Sequence, residues 1–184
     1  MQKNLEEKDN IIKNLIERVN SLEAQDKIFS EYLTKINKPD FLEEGDYILF
    51  SALEGKYCLE YINDGHKLRL ARYKNNQNNQ KITVKKYNNT QYCITNNLWE
   101  ILITPSANIG SEIYFSPYKD FNVKQLWIIV KFGNYYYIIS CDPEAVFRRL
   151  DVSDNWGKIG DKIILYNKHL GRNQLFIFKK NKNC

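Results

Sequence analysis

Histidine is almost absent from this chain of 184 residues, and the two present, His66 and His169, lie 103 positions apart. The eight glycines form no phosphate-cradling loop, no serine sits in a nucleophile elbow, and no His, Cys, Asp or Glu set has metal-ligand spacing. The expectation is a protein that is not an enzyme and holds neither cofactor nor metal. No stretch approaches the ~20 apolar residues of a membrane span, and no apolar leader with a small-residue cleavage site opens the sequence. That predicts a cytoplasmic protein without a transmembrane segment. The four cysteines, Cys58, Cys93, Cys141 and Cys184, include no C-x-x-C pair, and their scatter fits reduced thiols.

Charge excludes little. The net charge of +5 is uneven, because residues 1–40 carry seven basic and eight acidic side chains and the remainder is left at +6. A mildly basic domain could attract nucleic acid or acidic glycans. Its lysines cluster on no single element, so they read as a solvated surface and no nucleic-acid partner is expected.

What is present is a repeat. Gln80-Lys81-Ile82, Gln125-Leu126-Trp127 and Gln174-Leu175-Phe176 stand 45 and 49 residues apart. Apolar pairs precede each glutamine (Leu68 and Leu70, Ile113 and Phe115, Ile163 and Leu165), and Tyr47, Tyr92 and Tyr137 recur every 45 residues, as do Leu49, Ile94 and Ile139. A period of this length marks one supersecondary unit that buries its apolar face only against its copies. Within each copy the apolar residues alternate (Ile82 and Val84, Trp127 and Ile129, Phe176 and Phe178), as strands require, and those pairs should meet on a three-fold axis. After residue 44 no helical period is visible. An all-β domain over 46–184 is predicted, with lobes 46–90, 91–135 and 136–184.

These residues resemble the ricin-type β-trefoils, whose lectin domains carry a Q-x-W signature three times. The resemblance spans about residues 45–184, with Ile82, Trp127 and Phe176 at the third motif position. It implies a β-trefoil, and a sugar site in any lobe that has an Asp near the end of its second strand, an aromatic on the next strand and an Asn before the motif Gln. A carboxylate and an amide can bond adjacent ring hydroxyls, and an aromatic face covers the C–H side of a pyranose. The third lobe has the full set. The resemblance makes Asp151 the hydroxyl acceptor, Tyr166 the platform, Asn173 the second polar contact and Gln174 a brace that also supports Asp151. Ile164 stands where the family often has Gln. His169, with Asp154, Asn155 and Trp156, lies on adjoining loops. The first lobe offers Glu60, Ala71 and Asn79, the second Glu100, Ser116 and Lys124, so both should be silent for sugar. Ricin-type lobes from secreted proteins are usually stapled internally by disulfides, a pattern this chain does not follow.

Residues 1–38 are a different object. Leu5, Ile12, Val19, Asp26 and Leu33 fall at heptad a positions and Lys8, Leu15, Leu22, Phe29 and Ile36 at d, which predicts a coiled-coil oligomerisation helix ended by Pro39. Ile11 and Ile16 widen the stripe beyond a two-stranded seam. Arg18 and Glu23 flank Val19 and Leu22 in a pattern that resembles a known trimerisation motif. A parallel homotrimer is expected, with a dimer as the alternative, and 39–45 reads as a linker in which Glu43-Glu44 is solvated. The expected function is multivalent binding of galactose- or N-acetylgalactosamine-type glycans or glycoproteins. The alternative is a non-lectin trefoil that binds proteins, as an inhibitor or cytoskeletal cross-linker.

Overall fold

The computed structural model describes residues 42–53, 56–62, 64–75, 77–104, 108–117, 122–145, 147–153 and 157–181. By compactness the chain divides into Met1–Pro39 and Asp40–Cys184. The heptad segment, with every oligomerisation residue named above, lies outside the described residues, as do Asp154, Asn155, Trp156 and Cys184.

Among the described residues the secondary structure is strand and short 3₁₀ turns, without α-helix. The first lobe holds β1 (Gly45–Ser51), β2 (Tyr57–Tyr61), β3 (Leu68–Arg72) and β4 (Lys81–Lys86). The second holds β5 (Tyr92–Thr95), β6 (Ile101–Ile103), β7 (Ser111–Glu112), β8 (Tyr114–Ser116) and β9 (Trp127–Phe132), where β7 and β8 are one strand interrupted at Ile113. The third holds β10 (Tyr135–Ser140), β11 (Arg149–Val152), β12 (Ile163–Tyr166) and β13 (Phe176–Lys180).

The outer strands of each lobe close a ring. β1 pairs with β4, β4 with β5, β5 with β9, β9 with β10, β10 with β13, and β13 with β1, all antiparallel. A closed six-stranded barrel leaves no unpaired edge. The inner strands form three hairpins, β2–β3, β6–β8 and β11–β12. These hairpins join one another through the β7–β12 pairing and the bridges Lys67–Tyr114 and Arg69–Lys162.

The strict alternation read from the repeat fills the barrel. Ile82, Val84, Trp127, Ile129 and Phe176 share one core cluster, with Phe178 packed against it. Trp127 and Phe176 are fully buried, and the indole Nε1 donates to the Leu102 carbonyl at 2.9 Å. The repeated glutamines have a structural task. Each is buried at the end of a 3₁₀ turn, and its amide donates to a carbonyl at the equivalent point of its lobe: Gln80 to Arg72 at 2.8 Å, Gln125 to Pro117 at 2.9 Å, Gln174 to Asn167 at 2.7 Å. A buried loop carbonyl left unpaired would cost about 1–3 kcal/mol, which explains why the residue recurs.

Glu43 and Glu44 are exposed, as a solvated stretch predicts, but the segment is tied to the barrel beside them: Leu42 is in the core and its carbonyl accepts the Tyr92 hydroxyl at 3.0 Å. Glu44 accepts the Lys86 amide at 2.6 Å, and Glu43 pairs with Lys180.

Candidate functional site

The third-lobe residues converge. Register pairs Asp151 with Ile164 and Arg149 with Tyr166 across β11–β12, while Leu150, Val152, Ile163 and Leu165 face the core. Alternation therefore turns Asp151, Ile164 and Tyr166 to the opposite side. The 3₁₀ turn Arg172–Gln174 then brings Asn173 and Gln174 onto Asp151. Asn173 Nδ2 donates to Asp151 Oδ1 at 2.6 Å, and Gln174 Nε2 to Oδ2 at 2.8 Å.

His169 completes the set in a defined tautomer. The Gly171 N–H donates to His169 Nδ1 at 2.9 Å, so Nδ1 is an acceptor and the ring proton sits on Nε2, which faces Asp151 Oδ2 at 2.8 Å. Gly171 is required by space. A Cβ there would stand 2.4 Å from Asn173 Oδ1 and 2.7 Å from the His169 ring. The His169 backbone N–H is held by Gln174 Oε1 at 3.1 Å, so Gln174 braces loop and carboxylate together.

Asp151 is 2% exposed. Burial pushes its carboxyl above the ordinary aspartate range, and the bonds from Gln174, His169 and Asn173 pull it part of the way back. Three protein donors already occupy the carboxylate: Oδ2 accepts from Gln174 and His169, and Oδ1 from Asn173. The vacant acceptor is on Asn173. Its Nδ2 is committed to Asp151 and Val152, while Oδ1 is buried without a partner.

These groups floor an open depression of about 610 Å³ lined by Asp151, Ser153, Ile164, Tyr166, His169, Gly171 and Asn173. Tyr166 is 40% exposed and packs edge-on against His169, with centroids 5.9 Å apart. A surface with a recessed carboxylate and amide oxygen, an aromatic flank and an open mouth suits a polyhydroxylated ring. Sequence reasoning missed Ser153 and Gly171. Ser153 follows Asp151 by two and shares its face, a readable signal, whereas the crowding at Gly171 shows only in the folded turn.

The other lobes reproduce the scaffold in part. In lobe one Gln80 Nε2 donates to Glu60 at 3.1 Å, Asn79 Nδ2 donates to the Tyr61 carbonyl, and Asn79 Oδ1 is likewise buried without a partner. Ala71 leaves that position without a platform. In lobe two the register of Ile103 with Tyr114 puts Ile103, not Glu100, where Asp151 stands. Glu100 lies three residues earlier, where it accepts Asn96 Nδ2 at 2.8 Å and stands 2.9 Å from His66 Nδ1.

The barrel with its hairpin triplet is a β-trefoil. Its structural neighbours include lectins, a designed protein, a toxin and two glycoside-cleaving enzymes, an exo-β-1,3-galactanase of Clostridium thermocellum and an endo-β-galactosidase of Clostridium perfringens. A ricin B-like lectin of Macrolepiota procera in complex with lactose shares 15% identity, with TM-score 0.63 over 77% of this chain and 99% of that one. The C-half of an earthworm R-type lectin in complex with GalNAc shares 21% identity, with TM-score 0.58 over 74% and 99%. The designed three-fold symmetric protein ThreeFoil shares 19%, with TM-score 0.63 over 74% and 99%. In longer chains the match takes in only a part, 18% of a mosquitocidal holotoxin and 50% of a Polyporus squamosus lectin. No protein-family model matches the chain, and no curated protein matches it in sequence.

Proposed function

We propose that this protein is a lectin that binds galactose- or N-acetylgalactosamine-type glycans in the third lobe, and that the N-terminal heptads make it multivalent. The carrying observation is that Asp151, Ile164, Tyr166, His169 and Asn173 line one open depression, a set the other two lobes do not reproduce. Asn173 Oδ1 is a buried acceptor without a donor, which costs about 1–3 kcal/mol, and a small side-chain shift on ligand entry would let a sugar hydroxyl relieve that cost. A second hydroxyl reaches Asp151 Oδ1, and Tyr166 covers the apolar face of the ring. The lactose- and GalNAc-bound structures of similar fold support this sugar class.

A single shallow site gives affinity near the millimolar end, about −4 kcal/mol. Three sites on one parallel stalk raise the effective affinity by about 10²-fold on a surface whose glycan spacing fits. Binding, not bond cleavage, is the proposed activity, although the glycan remains the partner.

Glycan-array binding and titration with lactose test the reading, with wild type beside Tyr166→Ala and Asp151→Ala. Tyr166 is exposed, so its variant keeps the fold and should lose binding by about tenfold, consistent with the worth of one stacking face. Asp151→Ala should abolish binding. Wild-type silence toward neutral galactosides, or full binding by the Tyr166 variant, overturns the assignment.

A further inference from the structure

The outward face of β12 does not stop at the pocket. Lys162, Ile164 and Tyr166 alternate onto one side, so Lys162 follows the pocket wall by one step of the pleat. Ser153, a lining residue, is locked to it: Lys162 N donates to Ser153 Oγ at 3.1 Å and Ser153 N to the Lys162 carbonyl at 2.8 Å. Across the next ladders Lys162 meets Arg69, Ile164 meets Glu112, and Lys67 meets Tyr114. Neighbouring antiparallel residues share a face, so the cations Lys67, Arg69 and Lys162 stand on the pocket side of the hairpin triplet.

All three cations converge on one carboxylate. Glu112 Oε1 lies 2.5 Å from Lys162 Nζ, and Oε2 lies 2.9 Å from Arg69 and 3.2 Å from Lys67. The cluster keeps a net charge of +2, and its lysines face water, Lys162 with 56% and Lys67 with 41% of the side chain exposed. Two strand spacings, about 10 Å, separate Asp151 from Glu112, which is within reach of a substituent or a second residue on a sugar seated over Asp151.

We propose that the glycan recognised in the third lobe carries an anionic group, and that Lys162 with Lys67 and Arg69 receives it. The inference rests on the sugar-binding reading above and names its substrate class: an acidic galactoside, bearing either a sulfate ester or the carboxylate of a linked acidic sugar. Ile164 forms the apolar divide between the neutral subsite and the cations. Glu112 fixes the three cations in place, and the excess charge attracts the ligand.

The test compares N-acetyllactosamine with its 3′-sulfated, 6′-sulfated and sialylated forms, by titration against the full chain at low and high salt. Wild type should bind at least one acidic form about fivefold more tightly than the neutral sugar, the scale of one exposed ion pair, and the advantage should shrink with salt. The sulfated and sialylated arms separate the two sources of charge. Lys162→Ala and the Lys67→Ala, Lys162→Ala double variant should lose that advantage and keep neutral binding. Equal binding of neutral and acidic sugars by wild type, or an advantage that survives in the double variant, overturns the inference and leaves the neutral site standing. Acidic binding that persists in Asp151→Ala also overturns it, because the charge is then read without the sugar. Silence toward every sugar removes both proposals.

Discussion

At the scale of single residues the third-lobe site is a problem of committed hydrogen bonds. Asp151 is held by three donors, His169 is fixed as the Nε2–H tautomer by a backbone N–H, and what remains for a ligand is Asn173 Oδ1 and one side of Asp151 Oδ1. Gly171 is where this arrangement is most sensitive. Its φ of −69° is open to any residue, so the constraint is the 2.4 Å approach to Asn173 Oδ1 and not the backbone. The atoms in the way belong to Asn173 and His169, and if they swing aside the buried Asp151 carboxylate loses two of its three donors. Gly171→Ala should therefore weaken sugar binding at least tenfold and cost about 1–3 kcal/mol of stability, or about 3–9 °C in Tm. Titration beside a melting curve checks both halves. Asp151, Tyr166, Asn173 and Gln174 were legible because the motif marks them. The role of Gly171, and the loss of Oδ2 to His169, depend on how a 3₁₀ turn folds over a strand, which no residue pattern encodes.

The element scale explains where the repeat misleads. Barrel strands repeat faithfully because each must put its alternate residues into one core, and that constraint made β4, β9 and β13 readable from Gln-x-Ile, Gln-x-Trp and Gln-x-Phe. The hairpins carry no such constraint on their outer face. There Lys67, Glu112 and Lys162 occupy matching positions of the three lobes with different chemistry, and the sequence points to Glu100 in the second lobe where the strand register puts Ile103. Glu112 now ties all three lobes, through Lys67 and Arg69 from the first and Lys162 from the third. The hydrogen bond from Lys162, reinforced by Arg69 and Lys67, lowers its carboxyl from the ordinary 4.5 to about 2 against the opposing effect of burial. A depressed folded-state value means the stabilisation is complete above pH 4.5 and is lost as pH falls toward 2. Glu112→Gln should cost about 1–2 kcal/mol at neutral pH, allowing for solvent around the lysines, or about 3–8 °C in Tm. The gap between variant and wild type should close between pH 4.5 and 2. A gap constant across that window would mean the ion cluster is not what the substitution removed.

For the whole molecule, the proposed function puts recognition and valency on separate stretches of sequence. Leu42 and the Tyr92 hydroxyl anchor the chain just where β1 begins, and the described residues of the trefoil close a barrel around a core of their own. Residues 40–184 should accordingly fold alone, and the proposed stalk would act only through the number of sites it gathers. Removal of residues 1–38 predicts a monomer by light scattering whose affinity for free lactose equals that of the full chain. On an immobilised glycan surface the same truncation should lose about 10²-fold in apparent affinity, because each site then dissociates independently. The two measurements separate contact from assembly: equal loss for free and immobilised sugar would place the heptad segment in the binding site itself, and no loss on the surface would mean that the heptads do not gather the lobes. A full chain that scatters as a monomer would remove the stalk from the proposal and leave the third-lobe pocket as a single weak site.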